Sequence, residues 1–119
     1  MKKNIIVITG GAGFVGTNLI KYFVKNTKFK IISIDDYSSG SKSNHIKSNR
    51  VIYINGKTNN IDNLLKKNIS KIHTIFHFGE FSRIYQSFQK FNECFHSNTL
   101  GSLELFKFCL KHKIKLIYS

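Results

Sequence analysis

The sequence predicts an α/β protein, a doubly wound parallel sheet in one domain. Three observations carry that expectation. Short β-rich runs alternate with helical stretches along the whole chain, which is the spacing of parallel βαβ units. The first run, NIIVIT from Asn4 to Thr9, is nearly continuous in apolar residues, as a strand buried on both faces is. Four of the eight glycines then fall within seven residues directly after it.

Each later element follows from its own pattern. Phe14 to Asn26 sets Phe14, Val15, Leu19, Ile20, Phe23 and Val24 at helical spacing. KIISID, Lys30 to Asp35, is a second strand. Residues 37–49 hold Ser, Gly, Lys and Asn with little hydrophobicity and form a loop. RVIYI, Arg50 to Ile54, is a third strand, and Ile61 to Asn68 a short helix with Ile61, Leu64 and Leu65 inward. Lys71 to Phe78 contains a fourth strand. A long helix over 92–112 carries Phe95, Leu103, Phe106 and Leu110, and Lys115 to Tyr118 begins a fifth strand. No internal repeat, low-complexity tract or linker interrupts the order.

At 119 residues the chain has room for one domain, since domains mostly hold about 100–200 residues. Its 41% hydrophobic and 13% aromatic content supplies a core and excludes wholesale disorder. No run approaches the ~20 apolar residues of a membrane span. The apolar start is too short for a signal peptide and turns at once into glycines. A soluble, cytoplasmic protein is expected. The net charge of +13 would permit nucleic-acid or anionic-membrane contact. Yet only Arg50 and Arg83 are arginines, the lysines are scattered, and the chain is rich in Asn, Ile and Phe with no Pro or Trp. That pattern fits a coding bias towards A and T over a solvated surface, and no nucleic-acid-binding motif accompanies it. Neither a specific nucleic acid nor a membrane is an expected partner. Cys94 and Cys109 lack Cys-x-x-Cys spacing and read as reduced thiols. His73 and His77 would lie ~13 Å apart on one strand face, too far to share a metal. No metal is expected.

The glycines are where chemistry concentrates. Gly11, Gly13 and Gly16 make G-x-G-x-x-G, and the run from Thr9 also makes T-G-x-x-G-x-x-G. The first glycines, Gly10 and Gly11, permit a sharp strand-to-helix turn with positive φ. Gly13 leaves room for a pyrophosphate at the backbone, and Gly16 lets helix and strand approach. The helix that follows then aims free N–H groups and its positive dipole end at the phosphates. Nineteen residues after Gly16, Asp35 closes the second strand, at the distance where an acid accepts from the adenosine ribose hydroxyls. Its carboxylate, with Asp36 beside it and no Arg or Lys following at once, repels a 2′-phosphate. NAD is favoured over NADP.

The motifs in register resemble the extended short-chain dehydrogenase/reductase family. They are T-G-G-A-G-F-V-G-T-N-L from Thr9, I-D-D-Y-S-S-G from Ile34, I-F-H-F-G from Ile75, N-T-L-G-S from Asn98 and K-L-I-Y-S from Lys115. Within that family the chain is most similar to NAD-dependent sugar-nucleotide epimerases and dehydratases, of the UDP-glucose 4-epimerase kind. The resemblance implies a Rossmann-type doubly wound parallel sheet of order 3-2-1-4-5, cut at the fifth strand. It implies that residues 1–119 are one incomplete NAD-binding domain with no substrate domain. It also implies that Gly10, Gly11, Gly13, Phe14, Val15 and Gly16 hold the pyrophosphate. Asp35 would hold the ribose, and Asp36, Ser38, Ser39 and Gly40 would flank the adenosine. Phe78 and Gly79 would line the cofactor, and Asn98 would face its nicotinamide end. A homodimer through the 92–112 helix is implied as well, with NAD as cofactor and a nucleotide sugar as the parent protein's substrate.

Three departures qualify that implication. Gly56-Lys57-Thr58 stands where the family has G-D-[IL], which removes the acid near the adenine. His77-Phe78-Gly79-Glu80 stands where H-[LF]-A-A is usual, and Ser82 and Arg83 follow at the inner end of the cleft, where a sugar diphosphate could meet them. The family's acid/base pair, a Tyr with a Lys four residues later on the helix after the fifth strand, is not within these residues. Tyr53 and Lys57 have that spacing but run out of a strand into a Gly turn, so the pairing reads as chance. The chain alone is therefore expected to bind NAD without turnover. Other readings stand beside it: a non-catalytic NAD-binding or interaction fragment, such as a gene remnant or half of a split enzyme, and a basic nucleic-acid-binding α/β protein.

Overall fold

A computed structural model of the chain describes residues 2–78 and 100–118. The alternating β and helical runs become β1 (Ile5–Thr9), α1 (Phe14–Asn26), β2 (Lys30–Asp35), β3 (Val51–Asn55), α2 (Ile61–Leu65), β4 (Ile72–His77), α3 (Ser102–His112) and β5 (Lys115–Tyr118). The strands form one parallel sheet of order β3-β2-β1-β4-β5. This is the Rossmann-type arrangement expected from the sequence. β1 lies at its centre, and its five residues are all buried.

Strand periodicity sorts the core into two layers. Ile5 and Val7 of β1 join Ile32, Ile34, Ile72 and Ile75 under α2 and α3, with Ile61, Leu65, Leu105 and Phe108 from those helices. Ile6 and Ile8 face the other way, with Ile31, towards Ile20 of α1. Ile72 and Ile75 share a face although they are three apart. The pairing with β1 shifts between Ile5 and Ile6, so that Ile72 and then Thr74 are the partners and His73 is skipped.

Two helices show where periodicity alone misplaced side chains. In α1, Phe14 is 83% and Val15 54% exposed, because the first turn stands clear of the sheet, while Ile20 carries the packing. In α3 the buried side is Leu105, Phe108 and Cys109. The expected stripe of Leu103, Phe106 and Leu110 lies outward. Both sides of α3 are apolar, so composition did not distinguish them. Phe95 and the rest of 92–99 lie outside the described residues.

The third strand starts at Val51 and ends at Asn55, and Arg50 is a staple before it rather than its first residue. Its guanidinium donates to the carbonyls of Thr27 (2.7 Å), Phe29 (3.1 Å) and Val24. It thus caps the carbonyl end of α1, where a cation is favoured. The α2 helix ends at Leu65, with Ile61 and Leu65 buried and Leu64 packed on the core as expected. The 37–49 loop contains one short turn of 3₁₀ helix, Lys42–Asn44.

Candidate functional site

At the carboxyl ends of β1 and β2 the chain turns twice, and the two turns touch. The first is the glycine turn. Gly10 has φ 75, which an L side chain rarely adopts, and its N–H donates to the Ile34 carbonyl at 2.7 Å. A side chain on Gly16 would run into the backbone of Gly10 and Gly11, and one on Gly11 would run into Ser33. Both glycines are therefore packing positions. Gly13 differs. A Cβ there would meet only the Gly10 carbonyl oxygen, at an ordinary 3.4 Å, so its outer side faces open space. Gly13 is the N-cap of α1, without a side-chain cap and with no acid in the first turn. The N–H groups that open the helix have no intrahelical acceptors and point at that space.

The second turn carries the acid. Asp35 is buried, with one carboxylate oxygen accepting from the Ala12 N–H at 2.9 Å and the other from the Tyr37 N–H at 2.8 Å. Two amides, one per oxygen, hold the carboxylate in one plane. A carboxylate has about four acceptor positions, so room remains for two hydroxyl donors. Asp36 turns back on its own loop and accepts from the Ser38 N–H at 3.0 Å. Ser38 and Ser39 are exposed. Gly40 fits against the glycine turn, where a Cβ would meet Asp35 Oδ2 at 2.8 Å and the Ala12 carbonyl carbon at 2.9 Å.

Phe78 follows β4, and its N–H donates to the Thr9 carbonyl at 3.0 Å, which places it beside the glycine turn. His77 packs in the sheet fully buried, bonded through Nδ1 to Thr9 Oγ1 (2.6 Å) and through Nε2 to Ser102 Oγ (3.1 Å). Gly10, Gly11, Gly13, Phe14, Val15, Gly16, Asp35, Asp36, Ser38, Ser39, Gly40 and Phe78 thus sit together at one sheet end. Gly79, Ser82, Arg83 and Asn98 lie outside the described residues. Tyr53 and Lys57 form no acid/base pair. Tyr53 is on β3, where burial raises the pKa of its hydroxyl and the hydrogen bond that oxygen accepts from the Ile46 N–H, at 2.8 Å, lowers it by less. Among the described residues no three His, Cys, Asp or Glu side chains come together as metal ligands.

Sequence reasoning missed the residues that join the two turns. The Ala12 carbonyl accepts from the Ser41 N–H at 3.1 Å and from Asn44 Nδ2 at 2.8 Å. Thr17 Oγ1 donates to the Gly11 carbonyl at 3.2 Å. Asn44 is 32 residues from Ala12 in sequence, and no local pattern signals such a bond.

An open glycine backbone at a helix N-terminus, with a fixed carboxylate at the end of the neighbouring strand, is the geometry with which nucleotide-binding α/β folds in general receive phosphate and ribose. Residues 6–119 match the model of the NAD dependent epimerase/dehydratase family, and the chain belongs to that family. It is similar to the dTDP-D-glucose 4,6-dehydratase of Dictyostelium discoideum, 33% identical over 116 residues, which are 92% of this chain and 27% of that protein. It is similar to the ADP-L-glycero-D-manno-heptose-6-epimerase of Brachyspira hyodysenteriae, 31% identical over 97% of this chain and 36% of that protein. The fold matches that of the Bordetella bronchiseptica enzyme WbmF, solved in complex with NAD+, with a TM-score of 0.87 and 24% identity over 98% of this chain and 36% of that one. The chain thus spans about a third of the length of these proteins. Among the described residues no helix is long and apolar enough to cross a membrane.

Proposed function

We propose that this chain is the NAD-binding part of a sugar-nucleotide epimerase or dehydratase. The observation that carries the reading is the Asp35 carboxylate, held by two backbone amides beside an unobstructed Gly13. The residues fit the cofactor at both of its demanding points. Gly13 and the first turn of α1 would receive the pyrophosphate, and Asp35 would receive the ribose hydroxyls. Phe14, Val15, Asp36, Ser38, Ser39, Gly40 and Phe78 would border the same ligand, joined by Gly79 and Asn98. NAD supplies the hydride acceptor and donor that such chemistry uses. NAD is preferred to NADP because Asp35 and Asp36 repel a 2′-phosphate.

These 119 residues bind and orient the cofactor, and their one Tyr-x-x-x-Lys pair is committed to structure through Tyr53. We read the chain as inactive by itself, with a nucleotide sugar as the substrate of the parent protein and Ser82 and Arg83 as phosphate contacts. The named substrates of the two curated relatives, a dTDP-sugar and an ADP-sugar, support that class. Self-pairing through α3, the described part of the expected 92–112 segment, fits the outward Leu103, Phe106 and Leu110. A soluble cytoplasmic setting completes the reading. Calorimetric titration of the chain with NAD and with NADP tests it. NAD-selective binding is expected, while equal affinity for the two, or no binding, would overturn it.

A further inference from the structure

The 37–46 loop is held by a cluster of aromatic side chains, Tyr37, His45 and Tyr53. The His45 ring stacks on Tyr53 of β3, with centroids 3.7 Å apart and planes 9° apart. His45 Nε2 shares a 2.7 Å hydrogen bond with the Tyr37 hydroxyl. The Lys42 ammonium lies 5.6 Å over the Tyr37 ring. Next to His45, the Ile46 N–H donates to the Tyr53 hydroxyl, and Asn44 reaches the Ala12 carbonyl. Tyr37 itself has φ 61, a left-handed conformation that disfavours a bulky side chain. That conformation aims the Tyr37 N–H at Asp35 Oδ1.

We propose that His45, clamped between Tyr37 and Tyr53, is a positioning residue for the adenosine half of the dinucleotide. It pins the Tyr37 ring, the pinned ring keeps the Tyr37 backbone left-handed, and that backbone orients the Asp35 carboxylate. Through Asn44 the same clamp seats the loop on the Ala12 carbonyl. The inference rests on the cofactor reading above for its ligand, and its structural part stands apart from that reading.

The test is a double-mutant cycle on the 119-residue chain, reading affinity for NAD and ADP-ribose by calorimetry and amide hydrogen exchange without ligand. His45→Ala is expected to weaken both ligands by roughly five- to twentyfold, the loss of one or two neutral hydrogen bonds. It is also expected to speed exchange at the Tyr37 and Ser41 amides. Tyr37→Gly removes the ring but adopts the left-handed backbone freely. In that background His45→Ala should cost less than twofold, a non-additivity that a general loss of packing would not produce. Equal cost of His45→Ala in both backgrounds, or unchanged Tyr37 exchange in the single variant, overturns the positioning role. Absence of NAD and ADP-ribose binding by the unmodified chain overturns the adenosine assignment and the cofactor reading together, and the exchange data then still decide whether the clamp exists.

Discussion

The two flanks of the sheet are finished differently. On the β1–β2 side, backbone and side-chain polar groups close on one another, from Gly10 to Ile34, Ala12 to Asp35 and Asn44 to Ala12. On the β5 side, apolar side chains reach solvent. Leu110 is 80% exposed, and Phe106, Cys109, Leu110, Ile114 and Leu116 line a groove of about 380 Å³. The first flank has the geometry of a binding site, whose directional bonds specify one arrangement. The second has the character of a packing surface, where area rather than direction sets the energy. Charge alone would not have separated them, because lysines are spread over both.

Substitutions at two glycines three residues apart should break that contrast most sharply. Gly13→Val is expected to abolish NAD binding, by more than about a hundredfold, while the melting temperature holds, because the added side chain enters ligand space only. Gly16→Val should instead lower stability by about 3 kcal/mol or more, since its side chain meets the Gly10 and Gly11 backbone. Thermal melts with parallel titrations check both. A Gly13→Val chain that binds NAD normally would reduce the loop to a turn.

The next effect is electrostatic. Asp35→Ala removes an acceptor shared by two amides and the expected ribose, and affinity for NAD should fall by ~1.5–3 kcal/mol, roughly ten- to hundredfold. Its selectivity over NADP should vanish at the same time, measured by competition. On the other flank, Phe108→Ala should cost about 3–5 kcal/mol of stability, and Leu110→Lys less than about 0.5 kcal/mol with reduced self-association by size exclusion. A large loss of stability in the Leu110 variant would show that the groove is core.

Cys109 sharpens the comparison through pH. Burial pushes its thiol up to about 11 from 9.0. The unfolded chain therefore loses this proton first, and stability falls as pH rises from about 9 to about 11. Below pH 9 the group contributes no pH dependence. Denaturant melts should show a shallower decline over that window in Cys109→Ala, and thiol reagents should label native Cys109 slowly. A small gain rather than a loss is expected at Ser33, whose buried hydroxyl has no partner among the described residues. Ser33→Ala should raise stability by up to about 1 kcal/mol, seen as a small gain in the denaturant midpoint.

Much of this was legible in order along the chain. Strand and helix order, the glycine turn and Asp35 are local patterns, and parallel connections leave few topologies once strands alternate with helices. Residues 30–35 and 115–118 came out with their expected bounds because apolar runs between polar stretches mark both ends. The face that α3 buries was not legible, since Leu103, Phe106 and Leu110 are as apolar as Leu105 and Phe108. Only packing against Ile5, Ile72 and Ile75 chose between the two stripes.

The same division runs through the site. Backbone freedom at Gly10 and an acid at the end of a strand are properties of single residues, so the sequence alone names them. The orientation of that acid is not such a property. It depends on Ala12, Tyr37, Asn44, His45 and Tyr53, brought together from three separate stretches of chain. Hydrogen bonds act over about 3 Å and fix direction only between groups already adjacent. Adjacency between residues 32 positions apart exists only once the sheet has placed β2 beside β1 and β3 beside β2.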